Sequence, residues 1–222
     1  MSRIFVGDFE TTVYEGQTST EVWASALVEL NTENVILLHS IQETFEYLEA
    51  LGNVTVYYHN LKFDGSFWLN WLILESGYQQ ALLTTEDGVK YWMKPKDMPN
   101  CYYAYSISDM GQWYTVTITT PKGTIKIIDS LKLLPFAVRK LGESFGTKHK
   151  KLEMDYSGYR YAGCEITDKE AQYIGNDVLV VKEALEIMYA EGHTKLTIGA
   201  CCLAEFKKGF DSSDYKNFFP QV

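Results

Sequence analysis

The chain has 222 residues, about one and a half typical domains, with 46% hydrophobic, 14% aromatic and 22% charged side chains. This is a globular composition, neither disordered nor collagenous, and no apolar run nears the ~20 residues that a membrane span needs. Twenty Lys and Arg against 29 Asp and Glu leave a net charge of −9, a poor basis for non-specific duplex binding by phosphate neutralisation. Any nucleic-acid partner must therefore be attracted by local basic patches or bound cations.

The N-terminus, Met1-Ser2-Arg3 before the strand-like Ile4-Phe5-Val6, lacks the apolar stretch of a signal peptide, so the cytoplasm is the expected compartment. Cys101, Cys164, Cys201 and Cys202 form no C-x-x-C pair and read as small buried hydrophobes in a reducing compartment. Ile4 to Glu10, Glu21 to Glu29 and Asn34 to His39 read as strands. Ser40-Ile41-Gln42-Glu43 fits a capping box for a helix whose stripe is Phe45, Leu48 and Leu51. Val54 to His59 is another strand. The stretch after Asp64 has helical period and stops at Gly77.

Tyr78 to Met110 carry few periodic cues and read as a long surface excursion. Tyr114 to Thr119 and Thr124 to Ile128 flank a turn at Thr120-Pro121-Lys122-Gly123, giving a hairpin. Pro135 to Phe145 reads as a short amphipathic helix. Thr167-Asp168-Lys169-Glu170 is a second capping box and opens a helix through about Tyr189, ended by Gly192. Strands first, then strand and helix in alternation, predict a mixed α/β sheet with helices on both faces.

Three acidic signals interrupt this apolar framework. Asp8 and Glu10 project to one side of a strand, and at ~5 Å and an effective dielectric of ~20 two carboxylates repel by about 3 kcal/mol. A divalent cation would offset that; a strand that simply ends in exposed acids is the plainer alternative. Asp64, in Tyr58-His59-Asn60-Leu61-Lys62-Phe63-Asp64, sits at a strand-to-helix junction, where an N-cap is the plain role. Tyr173 and Asp177 are four apart on one helical face that Val180, Val181 and Ala184 continue inward. A carboxylate there is costly unless paired or metal-bound.

In this order, D-x-E, N-x-x-F-D and Y-x-x-x-D resemble the three motifs of the DEDD 3′–5′ exonucleases, which have an RNase-H-like fold. The likeness is closer to the exonuclease domain of protein-primed family B DNA polymerases of the phi29-like phages. It is carried by Tyr58 to Gly65 with Asn70-Trp71-Leu72, by Met110-Gly111-Gln112-Trp113-Tyr114, and by Asp129-Ser130-Leu131-Lys132 with Leu134-Pro135-Phe136. It covers nearly the whole chain apart from residues 80–108.

The resemblance implies an exonuclease domain over residues 1–190. Residues 191–222 would form a helical extension resembling the start of the connection to a polymerase palm, whose motifs are not found here. It implies that Asp8, Glu10, Asp64 and Asp177 hold two Mg²⁺ or Mn²⁺ ions, one generating hydroxide from water and the other stabilising the departing 3′ oxygen. Tyr173 would orient the attacking water, and Lys151 (or its neighbour Lys150) would meet a phosphate. Thr11, His59, Asn60, Phe63, Phe67 and Tyr156 match positions that contact a single-stranded 3′ end. Ser130 and Leu131 belong to a motif that packs at the strand end. Phe63 and Phe67 also fit a plain core role, and His59 a satisfied buried histidine.

The expected activity is removal of 5′-mononucleotides from single-stranded DNA 3′ ends, in the cytoplasm of a bacterial host if phage-encoded. A separate polymerase chain or a terminal protein are candidate partners. A non-catalytic module that grips a strand or docks onto a polymerase is the alternative, and a ribonuclease of the same fold shares the motifs.

Overall fold

The structure is a computed structural model that describes residues 3–154 and 158–219. Ten strands and six helices run in chain order: β1 (Arg3–Thr11), β2 (Val22–Glu29), β3 (Val35–Leu38), α1 (Ile41–Leu51), β4 (Val54–Tyr58), α2 (Leu61–Leu74), β5 (Gln79–Gln80), β6 (Leu82–Thr84), β7 (Lys90–Trp92), β8 (Tyr102–Ile107), β9 (Trp113–Thr120), β10 (Gly123–Asp129), α3 (Val138–Ser144), α4 (Asp168–Ala190), α5 (Ile198–Lys207) and α6 (Ser212–Phe218). Eight strands form one sheet in the order β3-β2-β1-β4-β10-β9-β8-β5, with β6 and β7 making a separate small hairpin. β4 lies parallel to β1 and to β10, while the β1–β2, β2–β3, β10–β9 and β9–β8 pairs are antiparallel. This is the mixed α/β sheet that the sequence pattern predicts, in the RNase-H-like class that the resemblance implies.

Each face of the sheet carries its own core. Period-two alternation along β1 sends Phe5 and Phe9 to one side, where Leu48, Leu61, Trp68 and Leu72 of α1 and α2 cover them. Val6 faces the other side, against Ile174, Val178 and Val181 of α4. Both capping sites read from the sequence sit at helix starts, but only the second is a reciprocal box: the Ser40 side chain accepts from Glu43 N while the Glu43 carboxylate accepts from His39 N, whereas Thr167 and Glu170 cap α4 reciprocally.

Three expectations change. Residues 78–110 are not a detached excursion, because β8 joins the main sheet and pairs with β9 from Tyr102 to Ile107. Its tyrosine-rich sequence alternates Tyr103 inward with the neighbouring residues outward, a short pattern easily lost among the surrounding turns. Helix α2 starts at Leu61, before Asp64, since Asn60 takes the N-cap position in a left-handed conformation (φ 67°). Of the cysteines, Cys164 and Cys201 are buried as expected, whereas Cys101 and Cys202 are exposed. No helix among the described residues is long and apolar enough to cross a membrane.

Gly7 permits close packing beside the site. A Cβ there would stand 2.8 Å from Tyr58 Cζ and 3.0 Å from Leu27 Cδ2, both on fully buried side chains. Gly7→Ala is expected to lower stability by about 1–3 kcal/mol through overpacking, read as a lower urea midpoint at unchanged m-value.

Candidate active site

The site begins where two parallel strands end unequally. The β1–β4 pairing stops at Gly7 opposite Tyr58, but β1 continues to Thr11 along β2. Beyond Gly7, the edge of β1 that faced β4 has no strand beside it. The chain leaving β4 turns into α2 and brings Asp64 to that edge, where its Oδ1 accepts from Phe9 N at 3.1 Å. Asp64 is 1% exposed, so it acts as a buried acid inside the first turns of α2 and not as the N-cap.

The start of α2 is held by a residue that the sequence reading left without a role. Asp129, at the end of β10, accepts through Oδ1 from Asn60 N, Leu61 N and Leu131 N at 3.2, 3.2 and 3.0 Å. Its Oδ2 lies 3.4 Å from Lys132 Nζ. The Asp129-Ser130-Leu131-Lys132 string was visible, but the two amide contacts that reach across from β10 to the start of α2 have no sequence period to reveal them.

Asp8 and Glu10 share the α4 side of β1, as period two requires. From α4, Tyr173 and Asp177 face them one turn apart, 6% and 5% exposed. Lys151 completes the group: its Nζ pairs with Asp177 Oδ2, donates to the Tyr173 hydroxyl at 3.4 Å and lies 5.2 Å from the centre of that ring. Lys150 instead donates to Gly142 O at 2.7 Å, so of the two neighbours it is Lys151 that reaches the site. Asp8, Glu10, Thr11, Val13, Phe63, Lys151, Tyr173 and Asp177 line one open cleft of about 330 Å³.

The electrostatics are those of acids removed from water near one another. Burial, then the Asp177 charge, push Asp8 up to about 7, with Lys151 opposing. Burial, then Asp8 and Asp177, push Glu10 up to about 8. Asp64 is raised well above its usual range by burial and then by Asp8. Asp177 is also raised by burial, against the pull of Lys151.

The donor set fits hard divalent ions. It offers carboxylate oxygens, an excess of negative charge, and Asp177 Oδ1, which is buried with no hydrogen-bond partner among the described residues. Among those residues, no three His, Cys, Asp or Glu side chains converge tightly enough to grip an ion as they stand. Binding would therefore draw these carboxylates together against the present Lys151–Asp177 pair.

The other expected residues divide by exposure. Phe63 is 48% exposed, and Phe67 packs edge-on against it with ring centres 5.4 Å apart. Thr11 is half-buried on the cleft wall, joined by Val13, which the sequence reading did not single out. Asn60 is exposed at the start of α2, and its backbone rather than its side chain makes the contact to Asp129.

His59 is a satisfied histidine: Nε2 donates to Phe136 O at 2.7 Å, leaving Nδ1 to face Ser130 Oγ at 2.9 Å. Burial lowers its pKa, which favours this neutral form. Ser130 is fully buried, and its Oγ also lies 3.1 Å from Tyr58 O, so its single hydroxyl proton serves either Nδ1 or that carbonyl; it positions His59 and the strand end and is not a surface contact. Leu131 is half-buried beside it, and Tyr156 lies outside the described residues.

Residues 51–163 match the family described as "DNA polymerase type B, organellar and viral". A DNA polymerase of Bacillus phage M2 is 35% identical over the whole of this chain, which spans 37% of that relative. The chain superposes along its full length on Phi29 DNA polymerase solved with primer-template DNA and on the same enzyme solved with single-stranded DNA. Both superpositions have a TM-score of 0.83 at 31% identity and cover 37% of the solved chain.

In metal-free buffer the raised acids should set the pH response of stability. Asp8 and Glu10 bind protons more tightly folded than unfolded, so their contribution is fully present below ~4 and is lost as pH rises through about 7 and about 8. With chelator present, the melting temperature should fall from pH 5 to pH 8.5. Asp8→Asn with Glu10→Gln should flatten that slope; a slope unchanged by the pair would contradict the assignment.

Proposed function

Because the chain belongs to the type B DNA polymerases of organelles and viruses and corresponds to the exonuclease domain of the phi29-like phage enzymes, we propose that it is a metal-dependent 3′–5′ exonuclease. Its substrate would be a single-stranded DNA 3′ end and its product 5′-mononucleotides. One observation carries the reading: acids from β1 and α4 meet Tyr173 and Lys151 in one open cleft, with Asp64 buried beneath.

Asp8, Glu10, Asp64 and Asp177 would hold two Mg²⁺ or Mn²⁺ ions. When bound, these supply the positive charge that activates water near neutral pH and stabilises the leaving oxygen. The residues do the rest. The Tyr173 hydroxyl, held by Lys151, orients water in line with the terminal phosphodiester. Attack forms the new oxygen–phosphorus bond and breaks the bond to the 3′ oxygen. A carboxylate takes the water proton, and the 3′ oxygen is protonated from solvent. Lys151 can leave Asp177 to meet the phosphate once the acids are otherwise neutralised. Phe63, with Phe67 behind it, offers a stacking face for the terminal base, and Thr11 a polar edge.

The relatives extend well beyond the share of their length that this chain spans. The exposed Phe206 of α5, Phe218 of α6 and Phe219 just after it, at 50, 71 and 47%, are the surface proposed to meet a polymerase region. A terminal protein is a further partner consistent with that family.

The test is release of mononucleotides from a 3′-labelled single strand with Mn²⁺ or Mg²⁺. Asp8→Ala with Glu10→Ala should reduce it to the blank. Tyr173→Phe should slow the chemical step by roughly a hundredfold while DNA still binds. Activity surviving the double substitution would defeat the reading, and binding without release under either ion would favour a non-catalytic strand-gripping module. Parallel RNA and DNA oligomers decide between the two nucleic acids.

A further inference from the structure

Three tyrosines at the cleft margin have rings turned to solvent. Tyr14, Tyr159 and Tyr161 are 38, 63 and 52% exposed, and they form a continuous row. The Tyr14 and Tyr159 centroids are 5.1 Å apart, and those of Tyr159 and Tyr161 5.9 Å apart. Large aromatic side chains bury much apolar area when they can, so a contiguous exposed row is an anomaly.

The row adjoins the site. Thr11 and Val13 line both the catalytic cleft and a small neighbouring pocket whose wall continues through Gly158 and Arg160, the residues on either side of Tyr159. Tyr14 directly follows Val13 in the chain.

The row is also anchored. Arg160 pairs with Glu170 at the start of α4 and lies 5.4 Å from the Trp23 ring, while its Nη1 donates to Tyr159 O at 3.0 Å. Cys164 N donates to Tyr161 O at 3.0 Å, and Gly163 N to His39 O at 2.9 Å. Gln17 Oε1 accepts from Tyr14 N at 3.0 Å. The rings are therefore presented by fixed backbone at little ordering cost.

We propose that Tyr14, Tyr159 and Tyr161 are a stacking platform for the bases of the single strand that lie beyond the first nucleotide 5′ of the scissile bond. The inference deepens the exonuclease reading and rests on it. Once the 3′-terminal nucleotide occupies the cleft, all remaining strand lies on its 5′ side and has to leave across a margin. In a chain of net charge −9, phosphate neutralisation cannot supply most of the grip, whereas base–aromatic stacking is independent of sequence and of net charge. A ring face suits any base, as an enzyme that consumes successive nucleotides requires.

The test combines equilibrium binding of a fluorescent ten-nucleotide thymidine strand in chelator with steady-state hydrolysis of the same strand in Mn²⁺. Replacing all three tyrosines by alanine should weaken binding at least about tenfold and raise KM similarly, with kcat retained. The slope of log affinity against log salt should stay near the wild-type value, because no phosphate contact is lost. The triple Tyr→Phe variant should recover wild-type affinity, since the ring face and not the hydroxyl does the binding. The deficit should vanish on a dinucleotide, which is too short to leave the cleft.

Unchanged affinity in the alanine variant overturns the platform, as does an equal loss on the dinucleotide, which would mark damage to the cleft itself. Binding by the wild type without hydrolysis would sink the nuclease reading yet still score the platform through the chelator arm. If the tyrosines instead serve a protein partner, strand binding will not change.

Discussion

The rest of this structure depends on one inequality of length: β1 outruns β4 by several residues. A paired strand would have satisfied the edge of β1 and covered its end. Its absence admits Asp64 from α2, whose carboxylate takes the Phe9 amide and so becomes buried. Asp8 and Glu10 sit on the extended part of the same strand, and α4 closes over them with Tyr173 and Asp177. The cleft is thus produced by ordinary backbone accounting, in which a strand end must find acceptors and finds an acid. The cost is mutual repulsion among carboxylates deprived of water, which Lys151 offsets only in part.

The surrounding scaffold is built to withstand that repulsion. Asp129 accepts from two backbone amides at the start of α2, and from Leu131 N in its own turn, and so fixes the helix that carries Asp64. His59, Ser130 and the carbonyls of Tyr58 and Phe136 form a closed set of hydrogen bonds beside it. A reciprocal capping box fixes the start of α4 and hence the register of Tyr173 and Asp177. Two separate cores, one on each sheet face, hold these elements while the acids between them stay unfavourable. Stability invested in the frame is spent at the site, the usual arrangement where function needs a strained charge cluster.

What was legible in the sequence is what has a period. Asp8 and Glu10 were placed on one face by alternation, Tyr173 and Asp177 by the i, i+4 rule, and both capping sites by their spacing. The site residues joined by long-range contacts needed the fold. Asp64 read most simply as an N-cap, and the left-handed Asn60 displaced it from that position. Asp129 had a visible motif but no visible duty, because its partners lie about 70 residues away. The resemblance favoured Lys151 over its neighbour Lys150, but spacing gave no reason for the choice; the fold supplies one, since Lys150 is bound to Gly142 O while Lys151 reaches Asp177. β8 escaped notice because a strand that joins through one antiparallel partner and a two-residue edge leaves only a weak alternation.

Divalent cations held by these carboxylates, as proposed, would have to displace the protons that burial keeps on them. Calorimetric titration with Mn²⁺ at pH 7, repeated in buffers of different ionisation enthalpy, counts the protons released per ion bound. The account predicts saturable binding with net release of at least about one proton per protein. Binding without proton release, or no binding at millimolar Mn²⁺, would contradict it.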